Sequence, residues 1–89
     1  MAGDEKHALI TGSSRGIGRG IALALAERGI KIAVHYYQNE RAAKDTLGQV
    51  RQKGGDGFLV QADVTQPDQI TEMFRKVKSE LTRKYKAVL

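Results

Sequence analysis

The stretch Thr11-Gly12-Ser13-Ser14-Arg15-Gly16-Ile17-Gly18 gathers glycines, hydroxyls and a guanidinium in one short segment, a combination suited to holding an anion. Its glycines follow G-x-x-x-G-x-G rather than the G-x-G-x-x-G of the common dinucleotide fingerprint, but they meet the same physical needs. Gly12 lets the chain turn sharply off a preceding strand. Gly16 has no Cβ, so a pyrophosphate can reach the backbone. Gly18 lets a following helix pack closely on the strand. Free N–H groups of the first helical turn then face the anion, aided by the helix dipole, and Ser13 and Ser14 add hydroxyl donors. The same glycines also suit a plain tight turn; a strand before and a helix after favour the phosphate reading.

Both elements are legible. His7-Ala8-Leu9-Ile10-Thr11 reads as a strand. Residues 16–28 read as a helix, with Ile17, Ile21, Ala24 and Leu25 at helical spacing and Gly29 as its stop. Leu23 and further alanines lie off that stripe, which implies cover on more than one side. Lys31-Ile32-Ala33-Val34-His35-Tyr36 is a second strand, apolar and continuous as in a parallel strand covered on both faces. Asn39 is the expected N-cap of a second helix that buries Ala43, Leu47 and Val50 and ends at Gly54-Gly55. Gly57-Phe58-Leu59-Val60-Gln61 is a third strand. Thr65-Gln66-Pro67-Asp68 fits a capping box with Pro in the first turn, followed by Ile70, Phe74, Val77 and Leu81 on one helical face. Tyr85-Lys86-Ala87-Val88-Leu89 has the composition of a strand beginning.

The order β-α-β-α-β-α implies a parallel α/β sheet with right-handed crossovers and strand order 3-2-1, a Rossmann-like half-fold. The alternative is a β-α-β-α-β domain whose sheet is completed by a partner chain. At 89 residues the chain is one domain or less, with 15 Lys+Arg against 10 Asp+Glu and a net charge of +5. Hydrophobic residues make up 40% and charged residues 28%, which excludes low-complexity and strongly acidic disordered classes. There is no Cys, hence neither a disulfide framework nor a thiolate metal site, and His7 and His35 are too few for a His-rich zinc site. With no membrane-length apolar run and a polar start, the expectation is a soluble protein of a reducing, cytoplasmic-type compartment. Against this background His7, His35 and Met73 carry no signal.

The glycine stretch resembles the cofactor motif of the short-chain dehydrogenase/reductase family, in its classical branch of 3-oxoacyl-(acyl-carrier-protein) reductases and glucose dehydrogenases. Ala62-Asp63-Val64-Thr65 resembles the family's D-V-T segment after the third strand, at a fitting distance from the first motif. The resemblance implies that Gly12, Gly16 and Gly18 hold the cofactor pyrophosphate. It places the Ile17 backbone N–H beside the nicotinamide-side phosphate, Asp63 on the adenine amino group and Val64 at a neighbouring backbone contact. A loop-capping role for Asp63 is the alternative. An NAD enzyme needs a carboxylate at the end of the second strand to bind the ribose hydroxyls, and that charge repels a 2′-phosphate. Here His35-Tyr36-Tyr37-Gln38-Asn39 holds no acid before Glu40. Arg15 stands where NADP-preferring relatives carry a basic residue, and a guanidinium grips phosphate bidentately. Together these favour NADP(H) over NAD(H). Tyr36 and Tyr37 are either stacking platforms near the adenine or ordinary strand residues.

The family's hydride chemistry uses a Tyr-x-x-x-Lys pair. The residues four beyond Tyr36, Tyr37 and Tyr85 are Glu40, Arg41 and Leu89, and none is Lys. The N-N-A-G segment after the fourth strand is also absent. Residues 1–89 therefore read as the N-terminal dinucleotide-binding half-domain of an oxidoreductase, a fragment or a natural or engineered small protein. No catalytic residues are assigned, and cofactor binding without turnover is expected. The rival class is a non-catalytic nucleotide-binding or interaction module. An unpaired first strand predicts self-association, or docking of a missing C-terminal half. Nucleic-acid binding through Arg75, Lys76, Lys78, Arg83, Lys84 and Lys86 is disfavoured, because an apolar stripe interleaves with these charges.

Overall fold

The computed structural model describes residues 6–14 and 16–85. Its elements are β1 His7–Ile10, α1 Gly16–Ala26, β2 Lys31–Tyr36, α2 Glu40–Gln52, β3 Gly57–Gln61 and α3 Pro67–Tyr85. The strands form one sheet in the order β1-β2-β3, the expected 3-2-1 read from the other edge, and both pairs are parallel. In register, Ile10 lies opposite Val34, Val34 opposite Leu59, and Tyr36 opposite Gln61. The strands thus end together, and the turn after β1 lies beside the loop after β2.

The continuous apolar character of β2 has the expected cause, since the sheet is covered on both faces. On one face α1 and α2 bury Ala22, Ala26, Ala43, Leu47 and Val50 against Ile32 and Val34, with Ala8 and Ile10 of β1 packed alongside. On the other face, among the described residues, α3 alone buries Met73, Val77 and Leu81 against Ala33, Phe58, Val60 and Ala62. The alternation of Ala8 and Ile10 with Leu9, and of Phe58 and Val60 with Leu59, follows the period of two of a pleated strand.

Several expectations change. Helix α1 ends at Ala26 rather than 28, and it does not bury the Ile17–Ile21 stripe: Ile17 is 86% exposed and Ile21 47%. Ala22 and Ala26 face the core instead, because α1 lies so near the sheet and α2 that small side chains fit where isoleucines do not. Among the described residues this helix is covered by the sheet and by α2, with Leu23 and Leu25 partly buried alongside. Helix α3 is rotated from its expected face. Met73, which carried no signal, is buried, whereas Phe74 is 57% exposed, since the row of Met73, Val77 and Leu81 is the one that meets the sheet. The expected capping box does not form, because α3 begins at Pro67 and so puts Gln66 rather than Thr65 at the cap position; the Thr65 hydroxyl donates to Asp63 Oδ1 at 2.6 Å. Pro67 does occupy the first helical position, and Asn39 does cap α2, its Oδ1 accepting from the Ala42 N–H at 3.0 Å. Tyr85 closes α3 instead of opening a strand, and residues 86–89 lie outside the described residues.

Candidate functional site

Gly12 and Gly16 hold φ of 65° and 64°, a left-handed conformation that a residue with a Cβ seldom adopts. A Cβ built on either would meet nothing within 4 Å, so the turn presents bare backbone to open space at both positions. Gly18 behaves oppositely. A Cβ there would lie 2.3 Å from the Gly12 carbonyl oxygen and 2.9 Å from Ser13 Cα. The close approach expected of Gly18 is thus to the turn just beyond the strand, and it brings the N-terminus of α1 directly under the Gly12 peptide.

The turn is held by side chains from three other elements. The Gly12 N–H donates to His35 Nδ1 at 2.9 Å, and the His35 backbone N–H donates to Ser13 Oγ at 3.0 Å. Ser13 is fully buried, and Ser14 nearly so. The Ser14 carbonyl accepts from the Thr46 hydroxyl of α2 at 2.7 Å and from an Arg19 Nη at 2.7 Å. Arg19 Nε donates in turn to Thr46 Oγ1 at 2.7 Å, and the same Nη reaches the Ala42 carbonyl at 3.1 Å. Thr46 is wholly buried, so this network replaces the water its hydroxyl would otherwise require.

Sequence reasoning missed His35, Arg19 and Thr46. A signal existed for His35: an imidazole inside the apolar run of β2 must find partners for both ring nitrogens, or burial is costly. For Arg19 and Thr46 there was none, because only tertiary contact joins α1 to α2.

Beside the turn lies a cleft of about 440 Å³ lined by Gly12, Ser14, His35, Tyr36, Tyr37, Gln38 and Asn39. The Tyr36 hydroxyl points at Glu40 Oε1, 3.4 Å away. Partial burial, reinforced by the Glu40 carboxylate, holds the Tyr36 phenol above its ordinary pKa. Glu40 also lies 4.0 Å from Lys44 Nζ. Arg15 is outside the described residues.

The Asp63 loop adjoins the turn through His35, whose Nε2 lies 2.9 Å from the Ala62 carbonyl oxygen. Asp63 Oδ1 accepts from the Thr65 N–H at 3.0 Å and from the Thr65 hydroxyl, and the Asp63 N–H donates to Gln69 Oε1 at 2.7 Å. The Thr65 hydroxyl, then the Thr65 N–H, pull the Asp63 carboxyl below its usual range against slight burial, with Tyr37 assisting. Asp63 therefore caps its own loop. Ile17 and Val64 are the outlying members of the candidate set, with Val64 44% exposed and both side chains turned to solvent.

Among the described residues no cluster of His, Cys, Asp or Glu could hold a metal ion, and no helix is long and apolar enough to cross a membrane. Part of the basic character of α3 is matched by acids: Arg75 pairs with Glu72, Arg83 with Glu80, and Lys84 with Asp56.

Bare backbone at Gly12 and Gly16, a helix N-terminus brought close by Gly18, and an adjoining cleft fit a phosphate-bearing cofactor. Fold and turn together define a Rossmann-like half-fold. Residues 6–84 match the family model for short chain dehydrogenase, and the chain belongs to that family.

Among its relatives, the oxidoreductase YgfF of Escherichia coli (strain K12) is 46% identical over 70 residues, covering 79% of this chain and 28% of YgfF. The 3-oxoacyl-[acyl-carrier-protein] reductase FabG of Staphylococcus epidermidis is 44% identical over 75 residues, covering 84% of this chain and 31% of FabG. The solved landomycin C-6 ketoreductase LanV, with bound NADP and rabelomycin, superposes with a TM-score of 0.86 at 36% identity over 92% of this chain and 34% of LanV. The chain spans about a third or less of the length of these relatives.

Proposed function

We propose that this chain is the NADP(H)-holding part of a carbonyl or alcohol oxidoreductase, with the reacting half supplied by sequence outside residues 1–89. The observation that carries the reading is the left-handed turn at Gly12 and Gly16, bare on its outer side and opening beside the cleft at the end of β2. Gly12, Gly16 and Gly18 hold the pyrophosphate, with the Ile17 N–H contributing and Ser14 at the cleft, while Ser13, expected as a donor to the anion, is fully buried and instead anchors the turn to His35. Arg15 takes the 2′-phosphate, Tyr36 borders the adenosine side, and Asp63 and Val64 meet the adenine. Asp63 Oδ1 accepts from Thr65, and Tyr37 also bonds the Asp63 carboxyl, so the base would share that carboxylate with them. NADP(H) is favoured over NAD(H) because Glu40, the first acid after β2, is engaged with Tyr36 and Lys44. LanV with bound NADP supports NADP(H) as the cofactor.

When bound, the nicotinamide supplies hydride; the residues of this chain bind and orient it. Since no Tyr is followed four residues later by Lys, the chain alone binds cofactor without efficient turnover. That same observation favours a second reading, a non-catalytic nucleotide-binding or interaction module. A cytoplasmic setting belongs to the proposal. So does self-association through the outer edge of β1, which has no strand partner among the described residues. Sedimentation at tens of micromolar is expected to give more than one chain mass, and a single-chain mass would refute the self-association.

Calorimetric titration with NADPH and then NADH tests the main reading. NADPH should bind, NADH more weakly, and Arg15→Ala should weaken NADPH by about tenfold. Absence of binding by both dinucleotides overturns it.

A further inference from the structure

We propose that His35 is a positioning residue that couples the two ends of the cofactor site, an inference that rests on the NADP(H) reading above. The Gly12 N–H is a donor only, so His35 Nδ1 must accept from it. The Ala62 carbonyl is an acceptor only, so His35 Nε2 must carry the proton and donate to it. These two partners assign the neutral Nε2–H tautomer. His35 is 4% exposed; its contact to Ala62 is buried, and its contact to Gly12 lies at the inner edge of the cleft.

The geometry makes His35 a strut. One nitrogen ends on the peptide that begins the phosphate turn, and the other on the residue before Asp63. The strut is anchored by its own strand: the His35 backbone N–H donates to Ser13 Oγ, and in register His35 lies opposite Val60 of β3. No other described side chain bonds both the turn after β1 and the loop after β3. The distance between the pyrophosphate grip and the adenine contact is therefore set by one rigid ring, and a shift at either end is passed to the other.

Two substitutions separate the arms. In His35→Asn the amide oxygen replaces Nδ1 and cannot reach Ala62. In His35→Gln the amide nitrogen replaces Nε2 and leaves the Gly12 N–H without an acceptor. Amide hydrogen exchange without ligand reads the strut directly. Gly12 should stay protected in His35→Asn and lose protection in His35→Gln, while the carbonyl carbon-13 shift of Ala62, the acceptor of the other link, should move in His35→Asn and stay in His35→Gln. Nitrogen-15 shifts of the wild-type imidazole should report the Nε2–H tautomer. Equal change at both groups in both variants, with thermal melts confirming that each folds, would mean that His35 merely fills space.

The second arm is NADPH titration of the wild-type chain and both variants. Each variant should bind about three- to tenfold more weakly than wild type, because each breaks one link of the strut. Wild-type binding with unchanged affinity in both variants overturns the coupling and leaves the NADP(H) reading intact. Wild-type failure to bind overturns both, and the two failures are told apart by the wild-type titration alone.

Discussion

At the carboxyl ends of the strands, the phosphate turn is held by hydrogen bonds with little access to water: Gly12 to His35, His35 to Ser13, and Thr46 and Arg19 to the Ser14 carbonyl. At the amino ends the cohesion is of another kind. Asp56, just before β3, meets Arg51 Nε at 3.1 Å and Lys84 Nζ at 3.5 Å. Lys84 also donates to the Gly57 carbonyl at 2.7 Å. The Tyr85 ring stacks on His7 at 5.9 Å, with Lys31 and Lys84 each 5.5 Å from its centre. The first end fixes backbone groups in one arrangement through directional bonds that are partly or wholly buried. The second is a water-accessible charge cluster that salt screens and that tolerates some displacement. A ligand site needs the former, since misplaced N–H groups lose an anion; the closed end of a sheet needs only the latter.

The sharpest way to break this contrast is Gly18→Ala. The added methyl would strike the Gly12 carbonyl, and the expected loss is about 3 kcal/mol of stability together with NADPH binding. Urea melts and the titration above check both. Next comes Thr46→Val, which keeps the shape but strips the Ser14 carbonyl and Arg19 Nε of their shared hydroxyl. It should cost about 2 kcal/mol, because buried polar groups are left unmatched. A change below a few tenths would show that water replaces the hydroxyl and that the turn is not dry.

The charge cluster makes a smaller and pH-dependent contribution. Burial is the largest single influence on Asp56 and acts to raise its pKa. The Gly57 N–H, Arg51, Lys84 and Tyr85 together outweigh it and hold the carboxyl at about 2, against an ordinary 3.8. A carboxylate depressed on folding stabilises the fold above its unfolded pKa, and that contribution disappears as pH falls from about 4 towards 2. Solvent screening reduces it to about 1 kcal/mol, so Asp56→Asn should destabilise by that amount at pH 7 and by only a small part of it at pH 2, where the carboxyl is half protonated. Equal stability at pH 7 would remove the cluster from the contrast.

The smallest effect has the opposite sign. Gly20 lies in α1 two residues beyond Gly18, yet a Cβ there meets nothing within 4 Å. Gly20→Ala should therefore stabilise by about 0.5–1 kcal/mol through helix propensity, with NADPH affinity unchanged. A loss would place Gly20 with Gly18 in the contact.

Much of this was legible from residue order. The limits of β2 and β3, the Asn39 cap and the glycine turn depend on local chemistry: apolar runs, a side chain reaching its own third neighbour, and backbone angles only glycine holds easily. The faces of α1 and α3 were not legible. Ile17, Ile21 and Phe74 look like core residues by type and spacing, but which row of a helix meets a sheet depends on how close the two approach.

The candidate site divides along the same line. The sequence by itself determined a parallel β-α-β-α-β-α chain with a phosphate-type turn after its first strand, because period, caps and glycine conformations act over a few residues. Only the tertiary structure decided that His35, Thr46 and Arg19 hold that turn. Their hydrogen bonds join positions 22 to 32 residues apart, or depend on a partner that such contacts supply. Nothing local to a histidine in β2 or a threonine in α2 says which backbone group will lie beside it once the layers close.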